Sequence, residues 1–294
     1  MKNESTNRFI LFYFIVIFFA LICLMKPIYP QSIETDSSFH PYHVNYWVTG
    51  GIIIGGLTLE KIGVPWISDK SPITNAELLA LDRNNFTAID RWALEQDPSN
   101  MNHYVNLSDN VLTGIVLLPA LTMLDNKIRQ DWLNVLLMYC ETIIITNNTY
   151  LYSPLGPTFQ NRLRPVVYYD ELGDSEVRTR GANRNSFYSG HVASATAASF
   201  FTAKVFCDYH PELGWEKYLV YGAAAVPPII LSYIRIRALA HFPSDLLVGF
   251  GVGALFGILI PEFHSIKTEN ISLGLYSSFE GTGISLKWQT DFMK

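Results

Sequence analysis

Apolar and polar positions divide this 294-residue chain into uneven blocks. Residues 9–25 (FILFYFIVIFFALICLM) are uncharged and flanked by Arg8 and Lys26, the pattern of a signal peptide or a first membrane anchor. Later apolar segments are shorter than a clean membrane span. They lie at 47–64, 110–124, 132–151, about 190–208, 217–237 and 244–261, and each predicts a helix. A short DNKIRQD turn between 110–124 and 132–151 predicts an antiparallel helical hairpin. Residues 65–104 are polar and acidic, and their periodicity predicts amphipathic surface helices. The first of these starts at Thr74 or Asn75, with Glu77 close behind. Pro227-Pro228 predict a kink or break in 217–237. Gly249, Gly251, Gly253 and Gly257 predict close helix contact in the last apolar segment. Alternation in 271–278 and 283–292, across a turn at Phe279–Gly283, predicts a β-hairpin.

The pattern thus predicts an all-α, membrane-associated helical bundle with a small C-terminal β-hairpin. Its segments are a leader at 1–30, an N-terminal helical region at 31–104, a core bundle at 105–262 and a tail at 263–294. Composition narrows the functional classes. The chain is 49% hydrophobic and 16% charged, against about 25% charged in an average soluble domain. That excludes a disordered chain and a collagen-like fibre. A net charge of −5 argues against a nucleic-acid partner but leaves room for a local phosphate site. Mean hydropathy is +0.17, apolar for a soluble enzyme and modest for a chain built only of membrane helices. Cys23, Cys140 and Cys207 are too scattered for a disulfide framework or a zinc site.

Three short motifs follow one another, each at the edge of an apolar segment. Arg162-Leu163-Arg164-Pro165 lies in a polar loop, 152–187, that also holds Arg178, Arg180 and Arg184. Ser189-Gly190-His191 opens the 190–208 helix, whose free N–H groups and positive dipole end suit an anion. Gly190 permits close backbone approach, and His191 stands where an acid can protonate a leaving group. The third motif is Arg235, then His241, then Asp245. A carboxylate four residues after His241 can bond one ring nitrogen and leave the other nucleophilic. Arg164 and Arg235 supply planar forks of donors for phosphate oxygens. HExxH, CxxC, DxD and Gly-rich nucleotide loops are missing from the sequence, so no metal or nucleotide cofactor is expected. The set suits phosphoryl transfer through a phosphohistidine.

In order and placement, these motifs resemble the three signatures of the type 2 phosphatidic acid phosphatase family, which shares its fold with vanadium haloperoxidases. The resemblance covers roughly residues 105–262. It implies that His241 is the nucleophile, that Asp245 orients it and that His191 protonates the leaving group. Arg164, Arg235, Ser189 and Gly190 would hold the phosphate. Pro157 stands where the family has a lysine seven residues before Arg164, Tyr188 replaces a usual proline, and Ile234 replaces a usual serine. Arg162, with Arg178, Arg180 and Arg184 behind it, is the candidate to supply the missing cation.

The implied function is a metal-free membrane phosphatase acting on a lipid such as phosphatidic acid, phosphatidylglycerol phosphate, undecaprenyl diphosphate or lipid A. Two alternatives are a non-catalytic member that binds or transports a phospholipid, and a vanadate-dependent haloperoxidase. The implied location is a bacterial cell envelope, as a multi-pass protein whose site faces the periplasm. Lys127 and Arg129 place the 125–131 loop in the cytoplasm. With an N-terminus inside and both 9–25 and 47–64 crossing, the site would fall in the cytoplasm, so one of them fails to span or the N-terminus starts outside. The favoured reading is 9–25 as an export signal or anchor and 47–64 as partial or re-entrant. His40, His43, His103, His210 and His264 read as structural. Glu141, inside an apolar segment, is expected to be paired in the bundle or to border a water-filled cavity, and Lys204 is expected to snorkel.

Overall fold

The computed structural model describes residues 40–173 and 175–266, and the strands at 271–278 and 281–288. The leader at 9–25, with Cys23, lies outside the described residues. Asn45 opens α1 (Tyr46–Ser68) by accepting from the N–H groups of Trp47 and Val48, donors that a helix start leaves bare. α1 is a continuous helix of 23 residues, longer than the apolar segment read at 47–64 and long and apolar enough to cross a membrane. Glu60 and Lys61 shorten the apolar window in the sequence without ending the helix. Trp47 is 92% exposed and Trp66 is 53% exposed. They are 19 positions apart, about 28 Å along a helix. That matches a hydrocarbon layer of about 30 Å with an aromatic side chain at each face.

Between α1 and the next long helix the predicted surface helices are short, at Asn75–Leu79 and Ala88–Arg91, and are followed by 3-10 turns. Thr74 and Glu77 make a reciprocal capping box on Asn75–Leu79. Further on, Asp82 and Asp97 take the N–H groups of Asn84 and Ser99, so side chains compete with helix propagation. The remaining long helices are α2 (Met101–Val116), α3 (Trp132–Tyr152), α4 (Gly190–Tyr209), α5 (Lys217–Arg237) and α6 (Pro243–Phe263). α2 begins well before the predicted position 110 and ends ahead of Pro119.

Helix direction alternates along the chain. One end of the bundle gathers 69–100, 153–189 and 238–242. The opposite end gathers 40–45, 117–131, 210–216 and the start of the tail, where His43 N–H donates to the His264 carbonyl and His210 meets Asp125. Four helical stretches, Tyr46–Ser68, Pro98–Leu124, Pro211–Arg237 and Pro243–Phe263, are long and apolar enough to cross a membrane. α3 and α4 lie inside and carry the polar contacts. Asn148 donates to the Gly56 carbonyl, Ser194 to Asn147, and Tyr139 to the Val116 carbonyl. Glu141 is paired with His264 at 3.0 Å. Lys204 does not snorkel, because Asp208 and Glu262 hold its ammonium inside the bundle.

α5 runs unbroken through Pro227 and Pro228, so the predicted break does not occur. The residues one turn earlier are Ala223 and Ala224, small enough to sit beneath the two rings. Packing on α4, including the Phe200–Tyr221 ring pair, holds the helix across the lost hydrogen bonds. In the tail, β1 (Ile271–Ser278) pairs antiparallel with β2 (Gly281–Trp288), in register from Ile271↔Trp288 to Ser278↔Gly281.

α6 lies directly on the backbone of α4. A Cβ at Gly249 would stand 2.6 Å from the Ser189 carbonyl oxygen. At Gly253 it would stand 2.2 Å from that of Ala193, and at Gly257 2.7 Å from that of Ala197. Gly251 faces open space. Gly253→Ala must therefore push the two helices apart, an overpacking cost of about 1–3 kcal/mol. It is expected to lower the thermal midpoint of the detergent-purified protein, while Gly251→Ala does not. Equal midpoints for the two variants would remove the seam as a stabilising contact.

Candidate phosphoryl-transfer site

The site forms where α4, α5 and α6 meet their loops. α5 ends in a Schellman turn, in which Leu239 N–H donates to the Ile236 carbonyl and Ala240 N–H to that of Arg235. The left-handed position belongs to Leu239, with φ of 52°. Its side chain is buried with Ile73, Met101, Val166 and Val167, which offsets the backbone strain. This turn folds the chain back so that His241 follows closely on Arg235.

His241 is buried, and its Nδ1 lies 2.7 Å from the Ser186 carbonyl oxygen. A carbonyl only accepts, so Nδ1 carries the hydrogen and Nε2 keeps the lone pair. Asp245 Oδ2 is 3.9 Å from the same nitrogen, too far for a hydrogen bond. The expectation that Asp245 orients His241 directly is corrected. Asp245 accepts from Ser186 Oγ at 2.6 Å and from Phe242 N–H at 2.8 Å. It holds the residues on either side of the imidazole, and the Ser186 carbonyl holds the ring. Burial and the nearby Arg235 and Arg164 guanidiniums keep the His241 pKa well below its ordinary 6.5.

Arg235 is buried and donates from Nη1 to Ser108 Oγ at 3.0 Å. Arg164 is anchored through its backbone N–H to the Asn183 carbonyl, and its buried Nε has no hydrogen-bond partner among the described residues. Ser189 caps α4: its Oγ accepts from Val192 N–H, and its own N–H donates to the Asp245 carbonyl. Gly190 begins the helix beneath the buried Tyr150 ring, which a Cβ would meet at 3.2 Å. His191 Nε2 lies 3.1 Å from Asp109 Oδ1 on α2.

Arg162 does not supply a free cation. Its guanidinium donates to Asp90 at 2.8 Å, to Ser244 Oγ at 2.7 Å and to Asp245, and it lies 4.5 Å above the Phe242 ring. Both carboxylates are buried, and the single charge of Arg162, shared between them, partly offsets theirs. Asp90 also accepts the Ser244 N–H, one of the donors that open α6. Arg178 is bound to the Val167 carbonyl and Asp170, Arg184 to Glu77 and two carbonyls, and Arg180 lies 3.9 Å from Glu176. At Pro157, where the resembling family has lysine, the ammonium of Lys70 arrives from after α1. It donates to the carbonyls of Pro157 and Gln160 and to Asn161, locking the loop that leads to Arg164.

The fold thus brings His191, Ser189, Gly190, Arg235, His241 and Arg164 to one end of the bundle, with Asp245 behind His241. Sequence reasoning missed Asp90, Ser108, Asp109 and Ser186. Asp109 alone carried a signal, as an acid within an apolar helical stretch. A buried imidazole within the electrostatic reach of two guanidiniums, close to a helix N-terminus, makes a site suited to an oxyanion. Residues 131–269 match the family model described as PAP2 superfamily. The match takes in just under half of the chain, and four of the described helical stretches have the length and apolarity of membrane-spanning helices. No curated protein matches the chain. A similar solved structure is a transmembrane PAP2 type phosphatidylglycerolphosphate phosphatase from Bacillus subtilis. It is 22% identical, with 73% of this chain and 94% of that one covered and a TM-score of 0.39.

The two arginines of the first motif should separate in stability. Arg162→Met leaves Asp90 and Asp245 buried without their cation and is expected to cost about 3 kcal/mol. Arg164→Met removes no ion pair and is expected to leave the thermal midpoint near that of the unaltered protein. Matching midpoints for the two variants would contradict this division.

Proposed function

We propose that the protein is a membrane phosphatase that removes a phosphate group from a lipid phosphomonoester or diphosphate through a phosphohistidine on His241. The observation that carries this reading is the buried His241 imidazole, with its lone pair on Nε2 and the charges of Arg235 and Arg164 near enough to disfavour its protonation. A nucleophile and two anion-binding cations converge where α4 begins. Arg164, Arg235, the Gly190 N–H and Ser189 hold the phosphate oxygens. Nε2 attacks phosphorus in line with the leaving oxygen. The P–O bond breaks as the N–P bond forms, and His191 gives the departing oxygen its proton. Positive charge then grows on the His241 ring, where the Ser186 carbonyl accepts the Nδ1 hydrogen. Water attacks the phosphohistidine in the second step, and His191 takes its proton.

The membrane-length helices beside the site favour an amphiphilic substrate, with phosphatidic acid, phosphatidylglycerol phosphate, undecaprenyl diphosphate and lipid A as the candidate classes. The proposed location is a bacterial cell envelope with the site on the non-cytoplasmic face. Lys127, Arg129 and Lys217 lie at the end opposite the site, the arrangement of a cytoplasmic face.

The test is phosphate release from a panel of lipid phosphates and diphosphates by the purified protein. His241→Ala is expected to abolish release, and His191→Ala to reduce it by about 10² to 10⁴-fold. Equal release by all three proteins, or none by the unaltered protein from any lipid, would overturn the reading.

The pH profile offers a separate check. Protonation removes the attacking lone pair, and burial with two guanidiniums disfavours protonation. The acid limb of kcat/KM that belongs to His241 is therefore expected well below pH 6.5. Arg164→Gln removes one opposing cation, so the limb should move to higher pH besides the loss of rate. A limb that stays in place would contradict the electrostatic role of Arg164.

A further inference from the structure

Two adjacent residues of α2 each hold a different site residue. Ser108 Oγ accepts from Arg235 Nη1 at 3.0 Å while donating to the Val105 carbonyl at 2.7 Å. Asp109 Oδ1 lies 3.1 Å from His191 Nε2. Both residues precede 131–269, the stretch matched by the family model. α2 therefore presses a hydroxyl and a carboxylate against the second and third motifs from outside the segment that contains them. The two contacts differ in kind. Ser108 fixes a guanidinium that is itself buried. Asp109 meets an imidazole that is only partly buried and whose partner must change during a reaction.

We infer that Asp109 is a positioning residue for His191, fixing the ring so that it can protonate the leaving oxygen. The inference rests on the proposed phosphatase reading. The carboxylate of Asp109 only accepts, so it keeps a hydrogen on Nε2 and sets the ring's rotation. The other ring nitrogen then carries the proton that moves to the leaving oxygen as the P–O bond breaks. The same nitrogen recovers a proton from water in the second step. Other anchors of the site hold phosphate oxygens, whereas Asp109 acts only where a proton must travel. Its importance should therefore depend on how much the leaving group needs that proton.

The leaving group supplies the test. Values of kcat/KM, which stop at formation of the phosphohistidine, are compared for a lipid phosphate and for p-nitrophenyl phosphate. The first releases an alkoxide that needs a proton, and the second a phenolate that departs without one. Asp109→Asn is expected to reduce kcat/KM on the lipid phosphate by about a hundredfold and to change it little on p-nitrophenyl phosphate. In a His191→Ala background, Asp109→Asn is expected to cause no further loss on the lipid phosphate. A parallel fall on both substrates, or losses that multiply in the double variant, would make Asp109 merely structural. Undiminished activity of Asp109→Asn would remove it altogether. If the unaltered protein releases no phosphate, the underlying reading fails. If it does and the variant pattern is absent, only this inference fails.

Discussion

The site depends on how closely α6 can approach α4. Gly249, Gly253 and Gly257 present bare backbone to the carbonyls of Ser189, Ala193 and Ala197, at separations that leave no room for a Cβ. In an apolar surround, helix association rests on such contact, because lipid is as apolar as a leucine side chain. The seam has a local consequence at its upper end. Gly249 sits over Ser189, and the Ser189 N–H reaches the Asp245 carbonyl. Two motifs separated by some fifty residues thereby share one corner of the bundle. With a larger side chain at Gly249, Ser189 and the start of α4 would stand off from His241.

Charge at that corner is divided between support and chemistry. Arg162 and Arg164 are two positions apart and do different work. Arg162 lies between two buried carboxylates and over an aromatic ring, which ties the N-terminus of α6 to Asp90. Arg164, by contrast, shares no ion pair with them, and its charge disfavours protonation of His241. Lys70 contributes indirectly, by tying together the carbonyls of the loop before Arg164. A loop rich in arginine is thus mostly bound to carbonyls and acids. Only part of its positive charge remains for a ligand, which keeps a concentrated cationic cluster from repelling itself open.

The same separation of roles runs through the bundle. The outer helices expose Trp47, Ile54, Leu219, Ile229 and Leu255. Polar residues on the inner helices find partners within the protein, as Glu141 does with His264 and Lys204 does with Asp208 and Glu262. A medium without water imposes this pattern, because each unpaired polar group within it costs several kcal/mol. The two prolines of α5 obey the same rule, since packing on α4 supports the helix where their missing N–H groups weaken it.

Much of this could be read from local sequence. Helix positions from 132 onward followed from apolar periodicity, the capping box at Thr74 and Glu77 from residue type, and the grouping of Arg164, Ser189, His191, Arg235 and His241 from motif order. These features depend on neighbours a few residues away, and a helix or a cap is decided at that range. The partners were not legible. Asp90 meets Arg162 across 72 positions, Ser108 meets Arg235 across 127, and Asp109 meets His191 across 82. The spacing between His241 and Asp245 suggested a direct bond, yet the ring is held by the Ser186 carbonyl, a group that every residue carries and no sequence singles out. α1 looked too short because charge was counted along the chain, whereas a helix presents it on one side. Tertiary packing decided which arginine is structural and which carboxylate meets which histidine, because these contacts exist only after six helices have fixed their rotation and depth.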